Sequence, residues 1–258
     1  MRALAEIAPD VLVCRARLYT TSTTVIRHGN RALLVDPALE PTELGDLAST
    51  MAELGLTVAA GLATHAHYDH LLWHPGLGDP PRWASAATVE ITRAHRADLL
   101  GQLGPVPEWL ATGFGRVTAV TGTDAATPGT VVDLDWSGEP TQLVIHDAHA
   151  PGHTAVWLPR PRVLLAGDML SDLELPLPQE TGLAAYSAGL DVLLPWVEQA
   201  AVLVPGHGHP TLDPLRRWLA DRTYLDAVMA GGDPDDARRA GEDMEVTHQA
   251  NLALARVG

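Results

Sequence analysis

Short apolar and β-branched runs occupy positions 11–13, 23–26 and 32–35, with His28, Gly29 and Asn30 between the last two. Runs of this kind, bounded by turn residues, predict strands, and the second and third predict a hairpin. Positions 41–54 predict a helix, with Thr42 as its cap and Gly55 as its stop. Small and apolar residues at 57–64 predict a buried strand. Further strands are expected at 82–85, 131–134, 143–145, 155–158, 163–166 and 201–204. Further helices are expected at 86–103, 186–194, 215–229 and after Glu242. Strands that come both as hairpins and singly before helices predict an α/β architecture, a mixed sheet with helices packed on it. The alternation is too irregular for a doubly wound parallel sheet. No repeat or low-complexity linker divides the chain, so residues 1–258 read as a single domain.

Composition narrows the partners. Hydrophobic residues make up 46% and charged residues 19%, a globular balance. There are 32 acidic residues against 17 basic ones, a formal net charge of −15, and every basic residue is Arg. So acidic a surface repels phosphate backbones and anionic lipid, which leaves a small-molecule substrate rather than nucleic acid or membrane. The single cysteine, Cys14, excludes an internal disulfide and a cysteine zinc site, and reads as a small buried side chain. The first nine residues hold no uninterrupted apolar stretch, and no run of 18 apolar residues exists, so a cytoplasmic location is expected. Nothing in the sequence sets the oligomeric state.

The chemistry concentrates in the histidines. Residues 64–70 read Thr-His-Ala-His-Tyr-Asp-His. His65 and His67 are two apart, so on an extended segment they face the same side, with Asp69 and His70 directly behind. Two more apolar runs end in the same manner, one in Gly167 and Asp168, the other in Pro205, Gly206 and His207. Pro151, Gly152 and His153 supply a further histidine in a turn. Metal-competent side chains thus arrive at the C-terminal ends of buried strands, where sites are built.

This series resembles the metallo-β-lactamase superfamily of metal-dependent hydrolases. The motifs run in that family's order from His65 to His207, and Asp36 resembles its early aspartate. The resemblance implies a four-layered αβ/βα sandwich of two mixed β-sheets flanked by helices, with metals at one edge. It implies that His65, His67 and His153 hold a first metal, and that Asp69, His70 and His207 hold a second. Asp168 would bridge them, and Asp69 would also serve as the catalytic carboxylate. Two divalent metal ions are expected, zinc first, with iron and manganese as alternatives. Such a pair lowers the pKa of a shared water, and the resulting hydroxide attacks an ester, thioester or lactone carbonyl. The resemblance implies Cys or Ser at the place of Asp168 in true β-lactamases, which are usually exported, so with no leader expected here antibiotic hydrolysis is a minor reading. Two alternatives stand beside this reading. One is a mononuclear iron enzyme of the persulfide dioxygenase kind, using His65, His153 and Asp168. The other is a metal-binding protein without turnover.

Other residues keep two readings. His74, His149 and His209 either orient a ligand or belong to loops. Tyr68 either reaches substrate or packs beside the loop. The Gly- and Pro-rich stretch with Trp109 and Phe114 is either a lid or an anchored loop. Residues 169–178 are expected to form a pocket wall, and His28, His95 and His248 to lie on the surface.

Overall fold

A computed structural model describes residues 3–123 and 127–256. The chain forms β1 (Ala5–Ala8), β2 (Val11–Arg15), β3 (Ser22–His28) and β4 (Arg31–Val35), then α1 (Pro41–Glu53) and β5 (Thr57–Leu62). Next come β6 (Arg82–Ala84), α2 (Ala86–Gly101), α3 (Glu108–Gly113) and β7 (Thr118–Ala119). The second half runs β8 (Thr130–Asp133), β9 (Gln142–His146), β10 (His153–Leu158), β11 (Val163–Leu165), α4 (Leu183–Gln199), β12 (Val202–Val204), α5 (Pro214–Met229) and α6 (Glu242–Ala255).

The strands make two mixed sheets. Seven pair in the order β1-β2-β3-β4-β5-β6-β7, antiparallel up to β4 and parallel from there on. Five pair in the order β12-β11-β10-β9-β8, with only β11 and β12 parallel. Parallel neighbours need a crossover, and α1 and α4 supply two of them.

Side-chain alternation builds the layers. Val11 and Val13, Leu33 and Val35 from the first sheet meet Val156 and Leu158, Val163 and Leu165 from the second. Their neighbours face outward. Leu12, Cys14, Ala32 and Leu34 pack on Leu47, Ala48 and Met51 of α1. Ala155, Trp157, Leu164 and Leu203 pack on Leu190 and Leu193 of α4 and on Leu225 and Val228 of α5. Both faces of each sheet are therefore covered, which is why the strands read as continuous apolar runs. The result is the expected αβ/βα order of layers. Among the described residues, no helix is long and apolar enough to cross a membrane.

Several local expectations change. α1 starts with Pro41 in its first turn behind Glu40, so Thr42 is inside the helix rather than its cap. α4 extends over Pro195 to Gln199, because its apolar face packs on the second sheet and tertiary burial outweighs the proline. Phe114 is fully buried, and α3 ahead of it is packed in the same cluster, so the stretch with Trp109 is an anchored segment. Met169, Leu170 and Leu175 belong to the core against α4 and α5 instead of forming an open wall. His248 is buried, with Tyr224 Oη 2.9 Å from its Nδ1 and Asp233 Oδ1 2.8 Å from its Nε2. The acidic turn at Asp233 covers it, which a surface assignment overlooks.

Cys14 is 2% exposed beneath α1, and burial pushes its thiol pKa up to about 12. The thiolate is the reactive form. We expect no labelling by Ellman's reagent at pH 8 in the folded protein and complete labelling after denaturation. Rapid labelling of the folded protein would contradict this packing.

Candidate metal centre

The centre lies at the edge where strand ends from both sheets meet. β4 ends in Asp36, β5 runs into Thr64 and His65, β11 into Gly167 and Asp168, and β12 into Gly206 and His207. The connection from β5 to β6 carries the histidine run, with a short 3-10 turn over Tyr68–His70. The sheets are stitched together here, because Ser22 N–H donates to Gly206 O at 2.6 Å and Thr154 N–H to Thr64 O at 2.9 Å. Gly206 is required at this junction, since a Cβ there would overlap Asp168 Oδ1.

Two sets of donor atoms converge: His65, His67, His149 and Asp168 in one, Asp69, His70 and His207 in the other. In the first, His67 Nδ1 lies 3.0 Å from His65 Nε2 and 3.1 Å from His149 Nε2. In the second, His207 Nε2 lies 3.2 Å and His70 Nε2 3.5 Å from Asp69 Oδ2. Asp168 stands between the sets. Its Oδ2 is 3.3 Å from His65 Nε2 and 3.2 Å from His207 Nε2, and its Oδ1 is 3.2 Å from His70 Nε2.

Outer hydrogen bonds aim these nitrogens. Asp36 Oδ2 accepts from His70 Nδ1 at 2.9 Å and from Thr64 Oγ1 at 2.7 Å. Thr64 Oγ1, having donated to Asp36, accepts from His65 Nδ1 at 3.0 Å. Glu180 Oε1 accepts from His67 Nε2 at 2.9 Å, and Tyr19 O from His207 Nδ1 at 3.0 Å. With those outer nitrogens donating, a neutral ring turns its remaining lone pair inward.

The donor set fits a cation. His70 Nε2 and Asp168 Oδ1, which face the cluster, are buried without a hydrogen-bond partner. Buried polar atoms left unpaired mark a missing partner, and here the missing partner is positive. The protonation states differ between the two sets. Burial lowers the pKa of His65 well below its ordinary value and that of His149 to about 4, so both rings are neutral. Burial also opposes charge on His70 and His207, but the Asp168 carboxylate, with Asp69 beside both rings and Asp36 beside His70, outweighs it and raises both well above the ordinary value. Burial together with Asp168 and Asp69, opposed by His207 and His70, pushes the Glu174 carboxyl up to about 7.

The structure brings together six of the seven residues expected from the sequence, with His149 beside them and the His153 ring packed 4.9 Å from that of His65. His153 is not in the first set. It is the first residue of β10 and pairs with His146 across β9, and its Nε2 accepts the Asp168 N–H at 3.1 Å. His149, four residues earlier in the loop before the strand, stands in the set. His74 bonds the Gly76 N–H and packs on Trp109, and His209 bonds Asp172, so neither joins the cluster. Glu180 was not anticipated, and no signal near His67 points to a partner 113 positions away.

A family model described as the metallo-beta-lactamase superfamily matches residues 16–228. The chain belongs to that superfamily. An uncharacterized protein of Mycobacterium leprae (strain TN) is 29% identical over 202 residues, 72% of this chain and 84% of the relative. The solved structure of TMB-1 superposes with a TM-score of 0.63 at 16% identity, covering 87% of this chain and 96% of that one. A metallo-beta-lactamase family protein of Thermus thermophilus superposes with a TM-score of 0.62 at 24% identity, covering 87% and 82%. Similarity at these identities carries the superfamily's fold and leaves the activity open.

Metal and protons compete for the same nitrogens. His70 and His207 are held protonated above the ordinary histidine range, so a divalent ion entering at neutral pH must displace their protons. Zinc titration calorimetry in buffers of different ionisation enthalpy should show proton release, and affinity should rise with pH. Binding without proton release would contradict the charge assignment.

Proposed function

We propose that this member of the superfamily is a dinuclear metal-dependent hydrolase acting on an ester, thioester or lactone carbonyl. The observation that carries the reading is Asp168, whose two carboxylate oxygens face histidines of both donor sets. His65, His67 and His149 would hold one ion, Asp69, His70 and His207 the other, and Asp168 would be shared. Zinc suits this nitrogen-rich set, with iron and manganese as alternatives. Bound there, the metals supply Lewis acidity to the carbonyl oxygen and make a water acidic.

The protein's own groups do the rest. Burial would raise the pKa of Asp69, but His70 and His207 outweigh it and keep the carboxylate ionised. Its Oδ2 also receives the Thr21 hydroxyl at 3.5 Å. Ionised and fixed from two sides, Asp69 is suited to orient the attacking water. The water adds to the carbonyl carbon, the carbon–heteroatom bond breaks, and the proton passes to the leaving group. Tyr68, between ligand positions, keeps its phenolic proton because burial and the neighbouring Asp69 raise its pKa. His153 acts through Asp168, whose backbone it fixes.

Metal analysis of the protein purified without chelator should give two divalent ions per chain. One iron per chain would favour the oxygenase reading instead. His149→Ala should lose an ion, whereas His153→Ala should keep both and weaken affinity by about 10–100-fold, as for other partners of ligands. The reverse order would restore His153 as the ligand.

Activity should appear on a panel of esters, thioesters and lactones, vanish with chelator and return with metal. It should rise with pH across roughly 5.5 to 8, as for a water of pKa near 7. A trapped acyl adduct on Ser or Cys, with activity surviving chelation, would overturn the mechanism.

A further inference from the structure

One cavity adjoins the metal centre and a second adjoins the first. The first, of about 470 Å³, has His67 and Glu180 on its wall together with Tyr68 and Gln102. The other, of about 300 Å³, shares Tyr68 and Gln102 and runs between Leu18, Leu39, Leu103, Pro105, Val106 and Leu110. Tyr68 sits between the ligand positions His67 and Asp69. The second cavity thus meets the first at Tyr68 and is lined by seven apolar side chains beside Tyr19, Glu40, Tyr68 and Gln102.

The carboxylates on its walls outnumber the cations free to meet a ligand. The ionisable side chains on the two walls are Glu40 and Tyr19 in the groove, His67, His95 and Glu180 beside the donor set, and Tyr68 in both. Among the described residues no arginine lines either cavity, and the chain has no lysine. Arg17 is nearby but is turned onto Glu40 and Glu43 at 3.4 and 3.6 Å. Arg82 and Arg116 line a separate cavity of about 790 Å³ that contains neither Tyr68 nor any residue of the donor sets. A carboxylate or phosphate on the substrate would enter a groove without a cation, beside glutamates, on a chain of net charge −15. Desolvating such a group with no partner is unfavourable. An apolar chain gains on the same walls, roughly fourfold in binding per buried methylene.

We infer that the substrate is uncharged and carries an apolar acyl or alkyl chain, lodged between Leu18 and Val106 while its carbonyl reaches the donor cluster. The assignment of the carbonyl rests on the hydrolase reading above, and the assignment of the groove does not.

The test has two arms. In the first, kcat/KM is measured on p-nitrophenyl acetate, butyrate and octanoate, and on an ester of octanoate length ending in a carboxylate. Octanoate should exceed acetate by roughly tenfold or more, and the carboxylate should cancel that gain. Leu18 is 41% exposed, so Leu18→Asp should fold, and it should collapse the octanoate-to-acetate ratio. In the second arm, the neutral fluorescent probe N-phenyl-1-naphthylamine is titrated into the protein. Leu18→Asp should weaken its binding, and octanol should displace it from the unaltered protein.

A flat chain-length series, equal rates with the carboxylate-ended ester, or probe binding indifferent to Leu18→Asp would overturn the inference. If no ester is turned over but the probe responds to Leu18→Asp and octanol, the groove stands and the hydrolase reading falls.

Discussion

The carboxylate of Asp36 holds the metal centre together. It takes the Thr64 N–H at 2.9 Å, the Thr64 hydroxyl at 2.7 Å and His70 Nδ1 at 2.9 Å. Through Thr64 it fixes His65, a donor of the first set, and through His70 it fixes the second. One buried side chain at the end of β4 therefore sets the rings on which both groups depend. Its backbone is left-handed, at φ 48°, an unusual conformation for a residue other than glycine. The surrounding hydrogen bonds favour that conformation, because it brings the carboxylate to both partners.

The layers around this point explain why the donors are buried yet aimed. Two sheets covered on both faces leave only their edges for polar chemistry. β4 and β5 in one sheet, β11 and β12 in the other, all end at the same edge. Each run is apolar until its last residues, so the polar groups emerge together at the boundary of the core. Gly167, at φ 55° and against the His153 ring, and Gly206, against Asp168, let the strand ends approach closely.

Charge is distributed unevenly within the cluster. The first set is dominated by neutral imidazoles, while the second pairs cationic rings with Asp69 and Asp168. Protons occupy in the second set the place that a divalent ion would take. The two cavities that share Tyr68 carry glutamates and no arginine, so positive charge beside them would have to come from ions held by the donor sets. That arrangement sets a polar donor cluster near a groove whose lining includes seven apolar side chains.

Much of the centre was legible in the order of residues. Thr-His-Ala-His-Tyr-Asp-His, Gly-Asp at 167–168 and Gly-His at 206–207 exposed six donors, because each follows directly on an apolar strand. The same runs announced two-sided burial and hence a layered fold. The place of His149 beside the cluster came only from the packed chain. His149 and His153 lie in one short segment, and it is the start of β10 at His153 that draws that ring under Asp168 and leaves His149 in the loop facing the cluster. Glu180 reaches His67, Asp233 covers His248, and Phe114 anchors its loop through contacts between distant parts of the chain. Local patterns record which face of an element is apolar. Which distant side chain meets it depends on how the layers pack, and no neighbouring residue carries that information.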